Sequence, residues 1–205
     1  MKKRAIDIFS GAGGLSLGAE WAGIEVSTAI EANKSAADTY KLNSPHTEVI
    51  CEDINKINPE RFIDKDNPVF LIMGGPPCQG FSMSNTKSRT MTNPKNQLFR
   101  AFVRFVDIIR PKWFLFENVG GFANLNKGLS AQWIKSCFEE VGYTVEPSIL
   151  WADEFGVPQR RNRFFMVGNK DGIEFQFPRK FDYEVTVDEA ISDLPSLDNG
   201  EMLDE

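Results

Sequence analysis

Short apolar runs alternate with amphipathic stretches along the first 170 residues. The runs at residues 5–9, 25–31, 48–51, 69–73, 113–116 and 164–167 have the length and composition of strands. The stretches at 15–22, 35–42, 97–109 and 131–141 repeat their apolar residues at helical spacing. Because strands and helices alternate, the pattern predicts an α/β fold in which helices flank a mostly parallel sheet.

Two stretches interrupt this alternation. Residues 82–96 contain only Met83 and Met91 as large apolar side chains and are too long for a simple connection, which predicts a functional loop. From residue 171 onward the pattern predicts only one short helix, at 187–192. We therefore expect one compact domain over residues 1–170, followed by an appended segment at 171–205.

The composition is that of a folded domain. Of the 205 residues, 41% are hydrophobic and 25% are charged, which excludes disordered and collagen-like chains. Three cysteines, an odd number with no close pair, indicate a reducing compartment, so we expect a cytoplasmic protein. No apolar run reaches membrane-spanning length, so we expect no membrane association. The single histidine, His46, argues against a Ser-His-Asp triad and a histidine-rich metal site, and we expect no metal.

The net charge of −6 is unevenly distributed along the chain. Residues 171–205 carry eleven acidic and two basic side chains, a net charge of −9, so residues 1–170 carry +3. No acidic residue lies between Asp66 and Asp107, whereas five basic residues do: Lys87, Arg89, Lys95, Arg100 and Arg104. A basic stretch without acidic residues is typical of a surface that contacts phosphate groups.

A glycine-rich turn follows the first predicted strand. Gly11, Gly13 and Gly14 precede the first predicted helix, so backbone N–H groups and the positive end of that helix meet at the carboxyl edge of the sheet. Such a turn suits a nucleotide-like cofactor. Ser16 stands where the dinucleotide fingerprint requires a third glycine, which, with the near absence of histidine, argues against a dehydrogenase.

Acidic residues follow the second and third predicted strands. Glu31 lies where a carboxylate can accept hydrogen bonds from two ribose hydroxyls, and Asp53 lies where one can accept from an adenine amino group. Either residue alone is more readily explained as a solvated loop residue. Together with the glycine turn, they describe an adenosine pocket without a phosphate-binding lysine. S-adenosylmethionine fits such a pocket, with its amino-acid carboxylate at the glycine turn.

Cys78 has a setting that the other two cysteines lack. A lone cysteine is usually a small packing residue, and this is our interpretation of Cys51 and Cys137. Cys78, in contrast, follows the fourth predicted strand and a Pro-Pro turn, and it opens the basic loop. The sequence therefore predicts a thiol presented to the crevice at the sheet edge.

Six segments, in order, resemble the carbon-5 cytosine-specific DNA methyltransferases of bacterial type. They are DIFSGAGGLSLG at 7–18, Glu31, CEDI at 51–54, GGPPCQGFS at 74–82, ENV at 117–119 and QRRNRFF at 159–165. The resemblance covers roughly residues 4–195, because TVDEAISDLP at 186–195 is also similar to the family. It implies a Rossmann-like, S-adenosylmethionine-dependent methyltransferase fold. It also implies methyl transfer to carbon 5 of cytosine, with S-adenosylhomocysteine as the product.

The resemblance also implies roles for individual residues. Cys78 would attack carbon 6 of a flipped-out cytosine. Glu117 would hydrogen-bond N3 and the exocyclic amine, which requires a protonated carboxyl and thus a raised pKa. Arg161 and Arg163 would contact the carbonyl of the base and hold the catalytic loop. Cofactor binding is implied for residues at the strand ends: Phe9, Gly11, Gly13, Gly14, Leu15, Glu31, Asp53, Ile54 and Pro76. DNA contacts are implied for Gln79, Ser82, Lys87 and Arg89, and the basic stretch 82–104 becomes a phosphate-facing loop and helix.

Members of this family continue into a target-recognition domain and two further segments that the sequence does not contain. We expect residues 171–205 to lead toward such a domain, supplied by a second chain or lost by truncation. The substrate would be double-stranded DNA, and the chain alone would bind cofactor weakly and lack sequence-specific methylation. Two alternatives remain: a tRNA cytosine-5 methyltransferase on the same scaffold, and an inactive remnant that acts only as a binding protein.

Overall fold

A seven-stranded sheet flanked by helices forms the framework of the molecule. The computed structural model describes residues 3–77, 97–125 and 127–195. The strands are Lys3–Ile8 (β1), Ile24–Glu31 (β2), Glu48–Cys51 (β3), Val69–Gly74 (β4), Trp113–Val119 (β5), Thr144–Trp151 (β6) and Asn162–Asn169 (β7). The helices are Gly14–Trp21 (α1), Lys34–Asn43 (α2), Gln97–Ile109 (α3), Leu129–Glu140 (α4) and Val187–Ile191 (α5). The predicted α/β class is confirmed.

The strand order creates a crevice between β1 and β4. The order across the sheet is β3-β2-β1-β4-β5-β7-β6, with β1 to β5 parallel and β7 antiparallel to both of its neighbours. The chain passes from β1 outward to β3 and then returns to the other side of β1. Ligands of open α/β sheets bind at such a switch point, beyond the carboxyl ends of the strands. The glycine turn and the Gly-Gly-Pro-Pro segment both begin there.

Strand β6 is an element that the sequence pattern did not indicate. It pairs antiparallel with β7 at the edge of the sheet, and its residues alternate between polar and apolar side chains. Pro147 lies in its middle, where a proline would break a central strand but is tolerated at an edge. Because of the proline and the interspersed polar residues, the sequence pattern does not predict this strand. Its pairing with β7 defines it.

The main core is aromatic and lies between the sheet and helices α3 and α4. The predicted helical stripe is confirmed, since Phe102, Phe105 and Val106 of α3 are fully buried. The rings of Phe114 and Phe138 stack with their centroids 4.1 Å apart. This core fixes the position of α3 against the sheet.

The cysteines within the described residues differ in exposure. Cys137 is half-buried in α4, but Cys51 is exposed, so the interpretation of Cys51 as a packing residue was wrong. The reason is that Cys51 is the last residue of the edge strand β3. In the part of the chain that the structure describes, no helix is both long and apolar enough to cross a membrane.

Candidate active site at the switch point

A cavity of about 390 Å³ lies at the carboxyl ends of β1, β2, β3 and β4. This volume falls within the range of small-molecule sites. Its wall is largely apolar, with acidic residues at one side, and is formed by Phe9, Ile30, Glu31, Ala32, Glu52, Asp53, Ile54, Gly75, Pro77 and Leu98. Four of the residues expected to bind cofactor thus line one cavity: Phe9, Glu31, Asp53 and Ile54.

Glu31 links the second strand to the glycine turn. Its Oε2 accepts a hydrogen bond from the Gly11 N–H at 2.9 Å, and its Oε1 accepts from the Asn33 N–H at 2.7 Å. Each carboxylate oxygen can accept more than one hydrogen bond, so both retain acceptor capacity toward the cavity. The carboxylate is therefore held in one orientation while it faces a possible ligand.

Backbone conformation places the glycine turn and Phe9 at this site. Gly11 and Gly13 have φ of 56° and 101°, a region that favours glycine. A Cβ on Gly13 would also lie 3.0 Å from two ring atoms of Tyr40. Phe9 has φ of 62°, which costs a non-glycine residue of order 1–3 kcal/mol. Such an outlier beside a cavity motivates a functional role for the Phe9 ring.

Asp53 and Ile54 begin a short 3₁₀ helix, Ile54–Lys56, that closes one side of the cavity. Asp53 is exposed and its Oδ1 accepts from the Asn55 N–H, whereas Ile54 is buried. Arg104 of α3 donates from Nη2 to the carbonyls of Ile54 and Ile57, at 2.9 and 3.2 Å. The expectation that Arg104 faces phosphate was therefore wrong, because its guanidinium is directed inward to the cavity wall.

Glu117 lies beside the segment that leads to Cys78. A Cβ on Gly75 would lie only 2.6 Å from Glu117 Oε2, so the carboxyl group packs directly against the Gly75 backbone. Arg163 Nε is 2.7 Å from Glu117 Oε1, and both side chains are 23% exposed. The antiparallel pairing of β5 with β7 brings this pair together. Two residues predicted from separate motifs therefore meet at the end of β4.

The pKa of Glu117 is raised above the ordinary value of a glutamate. Burial raises the pKa of Glu117, and the positive charge of Arg161 opposes this rise without cancelling it. Arg161 itself is exposed, and its carbonyl accepts from the Ala152 N–H at 2.7 Å. The raised pKa agrees in direction with the sequence expectation for this carboxyl group.

Asn118 holds the Pro-Pro turn in place through a hydrogen bond to its backbone. This buried side chain donates from Nδ2 to the Pro76 carbonyl at 2.9 Å, and its Oδ1 accepts from the Val119 N–H. Pro76 is buried by this arrangement, and it is Pro77 that lines the cavity. Sequence reasoning did not single out Asn118, although a polar residue at the end of an apolar strand was an available signal.

Several expected site residues lie away from the cavity or outside the described chain. Gly14 is exposed at the start of α1, and Leu15 packs against the small cluster around Ala5 and Met73. Cys78 and the four expected DNA-contacting residues, Gln79, Ser82, Lys87 and Arg89, lie outside the described residues. Sequence reasoning also missed cavity residues whose apolar or acidic character carried no distinguishing signal: Glu52, Pro77 and Leu98.

The fold and this site define a Rossmann-like α/β protein with a cavity at the switch point, beside a half-buried acid–arginine pair. Residues 3–204 match the family of C-5 cytosine-specific DNA methylases. The chain belongs to this family. The resemblance drawn from the six sequence segments is thus confirmed.

Three similar bacterial proteins are about twice as long as this chain. The type II methyltransferase M1.HphI of Haemophilus parahaemolyticus is 41% identical over 200 residues, covering 96% of this chain and 54% of the relative. M.DdeI of Desulfomicrobium norvegicum is 42% identical over 207 residues, covering 96% and 49%. A solved prophage-encoded protein of E. coli, assigned as a DNA modification methyltransferase, superposes with a TM-score of 0.81 at 33% identity, covering 96% and 56%. The chain therefore spans about half the length of these relatives.

Proposed function

We propose that this chain carries the catalytic and cofactor-binding part of a DNA cytosine-5 methyltransferase. One observation carries the proposal: the cavity that holds Glu31 and Asp53 ends at Gly75 and Pro77, where Glu117 packs against the backbone just before Cys78. A methyl donor in the cavity and a cytosine held by Glu117 would then meet beside one thiol.

The residues of the cavity fit an S-adenosyl ligand. Glu31 presents two fixed oxygens for ribose hydroxyls, and Asp53 presents a carboxylate to the adenine side. The side chains of Phe9, Pro77 and Ile54 line the same cavity and would supply apolar surface for the adenine. S-adenosylmethionine, when bound, supplies the methyl group in an electrophilic form.

The proposed chemistry assigns covalent catalysis to Cys78. Its thiolate forms a bond to carbon 6 of the cytosine, and the electron pair of the 5,6 double bond moves to carbon 5, which accepts the methyl group. Loss of the carbon-5 proton to a base then expels the thiolate and restores the double bond. Glu117 would stabilise the adduct through N3 as a protonated carboxyl, a role that burial supports because it raises the pKa of this group. Arg163 would orient that carboxyl, and Arg161 would contact the base.

DNA is the proposed nucleic acid, since the matched family is one of DNA methylases and the solved E. coli relative is assigned as a DNA modification methyltransferase. They do not favour the tRNA alternative. Lys87 and Arg89 would bind phosphate groups, and Gln79 and Ser82 would contact DNA beside the flipped base. We further propose that residues 1–170 form the catalytic domain and residues 171–205 lead toward a target-recognition region, on this or a second chain. The relatives M1.HphI and M.DdeI support this division, because about half of each lies outside the matched region.

Covalent trapping tests the nucleophile. The chain is incubated with S-adenosylmethionine and a duplex that contains an unpaired 5-fluorocytosine, because an unpaired base lowers the cost of flipping. Fluorine at carbon 5 cannot leave as a proton does, so the adduct persists. We expect a protein–DNA adduct by mass spectrometry for the wild type and none for Cys78→Ser.

The matched control for this experiment is Cys137→Ser, which removes a half-buried thiol from α4. This variant should form the adduct as the wild type does. An adduct formed by Cys78→Ser, or none formed by the wild type, would contradict the proposal.

A further inference from the structure

A buried chain of hydrogen bonds lies beside the glycine turn. Ser16 Oγ of α1 donates to Asp7 Oδ2 of β1 at 2.6 Å, and the Tyr40 hydroxyl of α2 donates to Ser16 Oγ at 2.7 Å. All three side chains are 0% exposed. Ser16 is the residue that departs from the dinucleotide fingerprint, and its side chain is directed inward to these two partners.

This chain of hydrogen bonds contacts the glycine turn. The Tyr40 ring packs on Gly13, since a Cβ there would lie 3.0 Å from the ring. The Gly13 carbonyl accepts from the Leu17 N–H at 2.9 Å, which joins the turn to the first residues of α1. At its other end, the turn is held by the hydrogen bond from Gly11 to Glu31. Ser16 and Tyr40 therefore set the position of one end of the turn while Glu31 sets the other.

Asp7 is costly to the fold, which points to a role other than stability. Its Oδ1 is buried and has no hydrogen-bond partner among the described residues. Burying a carboxylate without full hydrogen bonding opposes folding, and an apolar residue of similar size is often as stable or more so. Orienting the Ser16 hydroxyl is the structural result that the carboxylate achieves here.

We propose that Ser16, held between Asp7 and Tyr40, is a positioning residue for the cofactor: it fixes the glycine turn in the shape that receives the ligand's amino-acid end. The inference rests on the proposed function, because it takes the ligand to be S-adenosylmethionine. It adds a requirement for three buried residues that line no part of the cavity.

A double-mutant cycle tests this arrangement. The dissociation constants of S-adenosylmethionine and S-adenosylhomocysteine are measured by calorimetric titration, at a temperature where circular dichroism reports each variant as folded. Ser16→Ala and Tyr40→Phe should each weaken binding about fivefold to tenfold, the effect of one lost hydrogen bond. The double variant should be no weaker than the weaker single variant, because both substitutions break the same chain of hydrogen bonds.

Asp7→Asn separates positioning from stability. At pH 8 this variant should bind the ligands more weakly than the wild type and yet have a higher melting temperature, because a buried charge is removed. A purely structural role would move affinity and stability in the same direction. The matched control is Thr39→Val, which removes an exposed hydroxyl that bonds the Ser35 carbonyl on the same helix as Tyr40. It should leave both dissociation constants unchanged.

The outcomes distinguish the inference from the proposed function. If the wild type binds neither ligand up to millimolar concentrations, both the proposed function and the inference about Ser16 are contradicted. If the wild type binds and Ser16→Ala and Tyr40→Phe bind equally well, only the positioning role of Ser16 is overturned. Additive losses in the double variant would also overturn it.

Discussion

At the residue scale, the proposed chemistry depends on how tightly Glu117 is held. Its carboxyl packs against the Gly75 backbone on one side and contacts Arg163 on the other. Burial raises its pKa above the ordinary value of a glutamate. In its protonated form, a carboxyl group with these constraints would donate a hydrogen bond to a ring nitrogen without first reorganising.

Glu117→Gln should slow adduct formation with 5-fluorocytosine DNA by about a hundredfold or more, because general acid catalysis contributes 10²–10⁴-fold. The rate is measured by the mass-spectrometric trapping assay. Glu139→Gln, on the surface of α4, should react at the wild-type rate. A Glu117→Gln rate within threefold of wild type would contradict the role of this carboxyl.

The raised pKa of Asp7 predicts that the stability of the folded protein depends on pH. The pKa of Asp7 is raised from 3.8 to about 7. Burial is the largest cause, the hydrogen bonds from Ser16 oppose the rise, and the negative charge of Glu31 adds to it. Between these two pKa values the folded protein keeps a proton on Asp7 that the unfolded chain has released. The contribution of Asp7 to the free energy of unfolding is therefore greatest at low pH. Up to about 4 kcal/mol of it is lost as the pH rises toward 7.

Urea denaturation of the wild type and Asp7→Asn between pH 4 and pH 8 measures this effect. The free energy of unfolding of the variant relative to the wild type should increase with pH. A difference between the two proteins that is independent of pH would show that Asp7 titrates at its ordinary value.

At the element scale, the site forms where β4 and β5 end side by side. Gly74 lies so close to β1 that a Cβ there would meet the Ile8 carbonyl oxygen at 1.8 Å, and a Cβ on Gly75 would lie 2.6 Å from Glu117 Oε2. Parallel pairing of β4 with β5 and antiparallel pairing of β5 with β7 therefore place Gly75, Glu117 and Arg163 within contact.

Gly75→Ala should displace the Glu117 carboxyl and reduce the rate of adduct formation at least tenfold, since small misplacements of catalytic groups are costly. Gly121→Ala is the control, because a Cβ at Gly121 would meet no atom within 4 Å. Equal rates for the two variants would mean that the contact at Gly75 is unimportant for catalysis.

Helix α3 supports the cofactor cavity through Arg104. Arg104→Met should lower the free energy of unfolding by about 1–3 kcal/mol, because two carbonyls lose a charged donor. DNA affinity should change less than twofold, as measured by fluorescence anisotropy. Lys135→Met, an exposed change on α4, should alter neither quantity. A large loss of DNA affinity with unchanged stability would restore the phosphate-facing role that the basic stretch suggested.

At the scale of the whole molecule, the chain spans about half the length of relatives such as M1.HphI. Methyl transfer by the 205-residue chain alone should show no preference among DNA sequences, because the proposed recognition region lies elsewhere. Labelled S-adenosylmethionine and a pool of random duplexes, sequenced after capture of methylated cytosine, measure this. Methylation confined to one short sequence would contradict the proposed division of labour.

The sequence predicted most of the fold because its strands are nearly continuous apolar runs and its helices carry clear apolar stripes. It missed β6, whose proline and polar alternation are compatible with a strand only at a sheet edge. It also misassigned Arg104 and Cys51, since a basic or thiol side chain does not by itself reveal whether it faces the interior.

The sequence by itself determined the family, the α/β class and the chemical types at the site, because glycines, acids and arginines occur at fixed positions in six ordered segments. Only the tertiary structure decided that Glu117 pairs with Arg163, that Asn118 holds Pro76 and that Ser16 is directed toward Asp7. These contacts join residues distant in sequence, and their geometry follows from strand order and packing, which no local pattern encodes.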